Sequence, residues 1–120
     1  MRAGADVPKV SDSATLREAI LEMTRGRIGM TAVLDSTGHI RGIFTDGDLR
    51  RALERITDFG ATHIADVMST GPRTIRPEAL AVEAVEIMES HKVNQLLVVD
   101  AGGELVGALN MHDLFRAKVI

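Results

Sequence analysis

The chain has 120 residues, of which 45% are hydrophobic and 26% charged, with a net charge of −3. This length suits one ordinary domain, and the interspersed charges and 2% aromatic content argue against a nucleic-acid surface. No apolar run reaches the roughly 20 residues of a membrane span. The absence of cysteine excludes disulfides and thiolate chemistry. These features predict a cytoplasmic globular protein that binds neither nucleic acid nor membrane.

Residues 1–6 have no periodicity and are expected to be an irregular lead-in, after which a strand and an amphipathic helix are predicted. Pro8 favours an extended backbone leading into a short strand near Val10. Thr15 and Glu18 have the spacing of a capping box, in which each side chain satisfies a free N–H group of a first helical turn. The pattern predicts a helix that starts after Thr15 and ends near Gly26.

Two further strands and a second helix are predicted next. The apolar runs 31–34 and 40–44 are separated by turn residues, which predicts a hairpin with positive φ at Gly38, and likewise at Gly103 in the corresponding turn of the second half. A helical pattern runs from Asp46 to Ile56, with an apolar face toward the core formed by Leu49, Ala52, Leu53 and Ile56. The first unit is therefore strand, helix, strand, strand, helix.

The same unit returns in the second half of the chain. Residues 10–53 align with 75–118 without a gap, and 12 of the 44 pairs are identical. A short helical turn is predicted at 64–68, between the units, and a last helix from about Met111. A unit of about 45 residues buries too little surface to be stable alone. The two copies are therefore expected to pack together, through their sheets or their helices.

The most distinctive sequence motif lies at the junction between the last strand and the last helix of each unit. It reads Gly-Ile-Phe-Thr-Asp-Gly-Asp-Leu at 42–49 and Gly-Ala-Leu-Asn-Met-His-Asp-Leu at 107–114. A duplicated β-α-β-β-α unit with this junction resembles a pair of CBS domains, also called a Bateman module. The resemblance implies a mixed α+β fold with pseudo-two-fold symmetry. We expect repeat 1 at residues 1–56, a linker at 57–70 and repeat 2 at 71–120.

Longer sequence segments make the resemblance specific to one subgroup of CBS pairs. The segments 21–33, 42–53, 95–100 and 107–114 are similar to the C-terminal CBS pair of arabinose 5-phosphate isomerases. In that family a separate N-terminal sugar isomerase domain catalyses an aldose–ketose interconversion for lipopolysaccharide biosynthesis. The resemblance implies that this chain is a regulatory fragment of such an enzyme, with no catalytic site of its own. It also implies homodimers of CBS pairs.

The resemblance assigns ligand-binding roles to the junction residues. Thr45 and Asp48 would hold a nucleotide ribose, and the helix start at Asp46 would face a phosphate. The Thr-x-x-Asp spacing is equally that of a helix cap with no ligand, and this alternative stays open. In the second copy Asn110 replaces the usual threonine or serine, beside His112 and Asp113. Five further positions are implied as cleft walls, mostly through their main chain: Val10, Ile28, Met30, Ile75 and Val93.

The ligand class implied by the family is a nucleotide or a sugar nucleotide. CMP-Kdo is the feedback candidate within the pathway, and adenine nucleotides are the general alternative. No cofactor is expected, and the four scattered histidines predict no metal site. Arg50 and Arg51 are expected on a solvated face. Two other readings remain: an assembly module that binds no ligand, and an enzyme of another kind.

Overall fold

The computed structural model describes residues 2–79 and 81–111. Within them lie the helices α1 Leu16–Gly26, α2 Asp46–Leu53 and α3 Ala81–His91. The strands are β1 Arg2–Ala3, β2 Lys9–Ser11, β3 Met30–Leu34, β4 Ile40–Thr45, β5 Ser69–Thr70, β6 Thr74–Ile75, β7 Gln95–Val99 and β8 Leu105–Asn110. Short 3-10 turns occupy Gly4–Asp6 and Ile64–Asp66. The last helix predicted from the sequence falls outside the described residues.

The strands form two sheets of four, one for each copy of the repeated unit. The first has the order β2-β3-β4-β5 and the second β1-β8-β7-β6. In each sheet a parallel pair, β2 with β3 or β6 with β7, adjoins an antiparallel hairpin, β3 with β4 or β7 with β8. The predicted mixed α+β fold and its duplication are confirmed.

Each sheet is completed by a short strand that the sequence did not predict. β1 pairs with Gly107 and Ala108 of β8, so a strand before the first unit joins the sheet of the second. β5 pairs with the equivalent residues of β4, Gly42 and Ile43. The lead-in at residues 1–6, expected to be irregular, therefore contains a strand. The predicted repeat bounds of 1–56 and 71–120 stay predictions.

The helices begin where the sequence indicated. At α1, the Thr15 hydroxyl accepts a hydrogen bond from the backbone N–H of Glu18, and the Glu18 carboxylate accepts one from the backbone N–H of Thr15. α2 ends at Leu53, three residues earlier than predicted. Ala52 is buried and Ile56 half-buried, but the Leu53 side chain is exposed rather than in the core.

The hairpin turns of the two units are built alike. The Asp35 carboxylate accepts hydrogen bonds from the backbone N–H groups of Thr37 and His39, and Asp100 does the same for Gly102 and Glu104. The predicted positive φ is confirmed at both turn glycines, at 89° in the first unit and 81° in the second. His39 and Glu104 occupy equivalent positions and form an antiparallel bridge with each other. The two turns therefore meet at the pseudo-two-fold axis.

Among the described residues, three apolar clusters form the core. One joins α1 and α2 to the first sheet around Phe44, and another joins α3 to the second sheet around Leu96. The third cluster contains residues of both sheets, including Ala32, Leu97 and Ala108. The alternation of side chains along β3 and β7 supplies both faces, because neighbouring residues point to opposite sides of a strand. The two copies thus pack through their sheets.

Candidate functional site

A cleft of about 610 Å³ opens between the two repeats. Its walls come from three segments: 45–51 at the β4–α2 junction, 69–73 in and after β5, and 91–95 between α3 and β7. The first segment belongs to the first repeat and the last to the second. A ligand in this cleft would therefore contact both repeats at once.

Thr45 and Asp48 form a complete capping box on this wall. The Thr45 hydroxyl accepts a hydrogen bond from the backbone N–H of Asp48 at 3.3 Å. The backbone N–H and the hydroxyl of Thr45 both donate to Oδ2 of Asp48, at 3.0 and 3.2 Å. Thr45 and Asp48 therefore form the helix cap that their spacing allows without a ligand. It leaves the Asp48 side chain at the cleft wall, where it is one of the lining groups.

The other carboxylate oxygen of Asp48 links further elements. Oδ1 accepts hydrogen bonds from Nη2 of Arg51 at 2.6 Å and from the hydroxyl of Ser69 at 2.8 Å. Only 5% of Asp48 is exposed, so its charge depends on these donors for its stabilisation. Arg51 lies on an exposed face, as predicted, yet it still forms this ion pair. Asp48 therefore ties α2 to the strand that leads into the second repeat.

The predicted site residues divide between the cleft and other places. Four line the cleft together: Thr45, Asp46, Asp48 and Val93. Asn110 lies at the end of β8 opposite Gln95, a residue of the cleft wall. His112 and Asp113 lie outside the described residues.

The remaining predicted positions stand elsewhere in the fold. Ile28 and Met30 have their side chains in the cluster between the sheets, so only their main chain is available to a ligand. Val10 packs half-buried against the first core cluster. Ile75 lines a separate cavity of about 560 Å³ beside the start of α3. The ligand roles of all these residues stay predictions.

Several cleft residues were missed by sequence reasoning. Ser69 contacts Asp48 across 21 positions of the chain, and no local pattern indicates such a pair. Arg73 follows Gly71-Pro72, a pair that indicates only the end of the short helical turn predicted at 64–68. Lys92 did leave a signal, because it aligns with Arg27 and both follow the first helix of their unit.

The chemistry available in the cleft is hydrogen bonding and charge. Among residues 2–79 and 81–111, no three carboxylate or imidazole side chains are grouped so that they could hold a metal ion. Within the same residues, no helix is both long and apolar enough to cross a membrane. The cleft offers carboxylates, hydroxyls and several cationic side chains, which suit a polar, anionic ligand.

Comparison with known proteins agrees with this architecture. The CBS domain family matches residues 2–55 and again residues 64–120. The chain belongs to the CBS domain family. As a CBS pair it is 52% identical, over its whole length, to the arabinose 5-phosphate isomerase of Pseudomonas aeruginosa, covering 37% of that protein. It is 47% identical to the Escherichia coli K12 enzyme of the same name, covering 36% of it. The CBS pair thus spans little more than a third of these relatives.

Solved structures of CBS proteins share the fold. A CBS domain protein of Pyrobaculum aerophilum, solved in complex with AMP, superposes with a TM-score of 0.84 at 23% identity. The match covers 95% of this CBS pair and 90% of that chain. CBSX2, also solved in complex with AMP, gives a TM-score of 0.79 at 21% identity, over 99% of this chain and 92% of that one. At these identities the likeness establishes the fold.

Proposed function

We propose that this CBS pair is a regulatory ligand sensor that binds a nucleotide or a sugar nucleotide in the cleft between its repeats. The observation that carries the proposal is the position of Asp48: a buried carboxylate at the wall of a 610 Å³ cleft, next to the Thr45 hydroxyl. Asp48 already accepts four hydrogen bonds, from Thr45, Arg51 and Ser69, so a ribose hydroxyl would bind by replacing the Thr45 or Ser69 hydroxyl as a donor, in a charge-assisted bond that is stronger than a neutral one. The AMP complexes of two proteins with the same fold support this ligand class.

The proposed regulatory target is a sugar isomerase domain in the same protein. The curated relatives are arabinose 5-phosphate isomerases, and this CBS pair corresponds to about a third of their length. A ligand regulates such a domain only if it binds two conformations of the whole protein with different affinity. CMP-Kdo, the pathway product, and the adenine nucleotides AMP and ATP are the ligands to test.

A thermal-shift panel of AMP, ATP, CMP and CMP-Kdo tests the proposal. A ligand that binds only the folded state adds RT ln(1 + [L]/Kd), about 2.7 kcal/mol at one hundred times Kd, so the melting temperature should rise for at least one compound. Asp48→Asn should abolish that rise while keeping the shape of the side chain. Glu18→Gln changes the equivalent capping box at α1, away from the cleft, and should leave the ligand shift unchanged. Asp113→Asn should matter less than Asp48→Asn.

The second candidate function is assembly without a ligand. It is favoured by exposed apolar side chains on two helices of the first repeat: Leu21 of α1 is 65% exposed and Leu53 of α2 is 55% exposed. A contact with a second copy of the chain would remove these side chains from water. No thermal shift with any compound, together with a stable dimer by light scattering, would favour this function over ligand sensing. Isomerase turnover by the isolated chain would overturn both.

A further inference from the structure

In the first repeat, a covering segment formed by residues 59–64 runs across the start of α1. The backbone N–H of Leu16 donates to the carbonyl oxygen of Thr62 at 2.8 Å, and the N–H of Ile64 donates to that of Ala14 at 2.9 Å. The residues between these two bonds form an antiparallel bridge. Ile64 is fully buried in the same core cluster as Ala14 and Leu16. The covering segment therefore closes this end of the first repeat.

The equivalent place in the second repeat is open. Ala79 and Ala81 stand 65 positions after Ala14 and Leu16, and they are half-buried where those two residues are buried. The next residue, Val82, is apolar and yet 58% exposed. In the part of the chain that the structure describes, no backbone carbonyl accepts a hydrogen bond from the N–H of Ala81 or Val82. The start of α3 thus has the donors that α1 has, without their acceptors.

The cavity of about 560 Å³ lies at this uncovered helix start. Ile75 of β6, Val99 of β7 and Ala79 form its apolar lining. Ile75 and Ala81 also pack, partly buried, against the core cluster of the second repeat. An apolar side chain in the cavity would extend that cluster, as Ile64 extends the cluster of the first repeat.

The path of the chain indicates what would fill the cavity. β1 pairs with residues 107–108 of β8 and β5 pairs with 42–43 of β4, which are equivalent positions 65 residues apart. β1 therefore occupies in the second sheet the place that β5 occupies in the first. The covering segment ends at Ile64, five residues before β5 begins at Ser69. Its counterpart for the second repeat would end five residues before Arg2, which is upstream of this sequence.

We propose that the cavity at the start of α3 is the docking site of the segment that leads into β1 in the full-length protein. That such a segment exists rests on the proposed function, in which a sugar isomerase domain belongs to the same protein. Carbonyl oxygens of the segment accept hydrogen bonds from the N–H groups of Ala81 and Val82, and one apolar side chain enters the cavity. The chain that enters the CBS pair is then fixed to the second repeat at two places, β8 and α3.

Amide hydrogen exchange in the full-length protein and in the 120-residue chain tests the docking directly. The amides of Ala81 and Val82 should exchange at least tenfold more slowly in the full-length protein, because both gain an acceptor there. The amide of Gly102, in the exposed turn before β8, should exchange at the same rate in both. Equal exchange of Ala81 and Val82 in the two proteins would overturn the proposal.

An extended chain tests the equivalence of the two repeats. Residues 58–67 are copied in front of Met1, which then stands where Met68 stands before β5. The extension should raise the melting temperature by about 4 °C or more and protect the amides at the start of α3. A control extension carries Phe59→Ser and Ile64→Ser in the copied segment only, which removes the two apolar residues that pack on the first core cluster. Equal results for the two extensions would overturn the equivalence on which the docking rests.

A variant that fills the cavity shows where the extension binds. With Ala79→Leu, extended and unextended chains should have equal melting temperatures, because the added side chain takes the space of the copied Ile64. Ala101→Leu, at an exposed turn residue, should keep the full difference between the two forms. A difference that survives Ala79→Leu would place the extension elsewhere and overturn the docking site.

The outcomes distinguish the docking site from the proposed function. Protection at the start of α3, with no thermal shift from any nucleotide, would leave the docking site standing and refute ligand sensing. A nucleotide response that depends on Asp48, without protection of Ala81 and Val82 in the full-length protein, would do the reverse.

Discussion

The carboxylate of Asp48 accepts a hydrogen bond of 2.8 Å from the hydroxyl of Ser69, which lies in β5, the strand that leads into the second repeat. The same carboxylate caps α2 in the first repeat. A single buried group therefore joins the cap of one helix to the connection between the repeats. A change that displaces a hydrogen-bond donor from Asp48 should therefore affect both the start of α2 and the connection between the repeats.

A double-mutant cycle on Asp48 and Ser69 should show this coupling. Ser69→Ala should cost about 1 kcal/mol of unfolding free energy, the typical net contribution of one intramolecular hydrogen bond, because Ser69 itself is exposed. In the Asp48→Ala background the same change should cost almost nothing, because its acceptor is gone. Urea denaturation measures all four free energies. Glu18→Ala combined with Ser69→Ala is the control pair and should be additive; additivity in the Asp48 cycle would contradict the coupling.

Gly42→Ala should be destabilising because two strands approach closely at this residue. A Cβ at position 42 would lie 2.7 Å from the carbonyl oxygen of Ser69 and 2.7 Å from the sulfur of Met68. β5 would have to move away from β4, at a cost of about 1–3 kcal/mol. Chemical denaturation measures the loss, and Gly102→Ala, where a Cβ meets only ordinary contacts, should stay within about 0.5 kcal/mol of wild type. Equal effects at the two glycines would count against the close approach.

Leu97→Ala should strongly destabilise the packing of the two sheets. The Leu97 side chain is fully buried in the cluster that contains residues of both sheets. Truncation leaves a cavity there and should cost about 2–5 kcal/mol. Leu21→Ala, at a residue that is 65% exposed, should change the unfolding free energy by less than about 0.5 kcal/mol. A cost at Leu97 as small as at Leu21 would show that the sheets do not depend on this contact.

Glu22 should make stability depend on pH in the acid range. The hydrogen bond from Arg25 is the main reason that the pKa of Glu22 lies below its usual value of 4.5, with a further contribution from the backbone N–H of Lys9 and an opposing one from burial. A lowered folded-state pKa gives stability that is present above the unfolded-state pKa and is lost as the pH falls through the folded-state pKa. Glu22→Gln should therefore cost about 0.5 kcal/mol at pH 7.

The difference between wild type and Glu22→Gln should shrink as the pH falls below 4.5, the usual pKa of a glutamate, and vanish once the pH lies below the lowered pKa of Glu22. Denaturant unfolding between pH 3 and pH 7 measures it. Glu86→Gln, on the exposed face of α3, corrects for the general change in net charge. A difference for Glu22→Gln that stays constant over this range would contradict the role of its ionisation.

Local patterns predicted most of the fold. The capping boxes at Thr15 and Thr45 and the turn glycines at 38 and 103 follow from contacts within four residues, so their sequence spacing is sufficient. The gapless alignment of the two halves then predicted the duplication. β1 and β5 were missed because a two-residue strand has no periodicity, and its place depends on an edge that the sheet offers.

Only the wall of the candidate site that carries Thr45 and Asp48 was predictable from the sequence. The sequence identified Thr45 and Asp48, since their spacing is local, and left capping and binding as alternatives. Ser69, which contacts Asp48, and the cleft residues Arg73 and Lys92 come from segments 21 or more residues away, and only the packing of the two sheets brings these segments together. The local spacing at the β4–α2 junction therefore identified Asp48 as a residue that caps a helix or binds a ligand. The tertiary structure decided what surrounds it, because a cleft between repeats exists only once both repeats are packed.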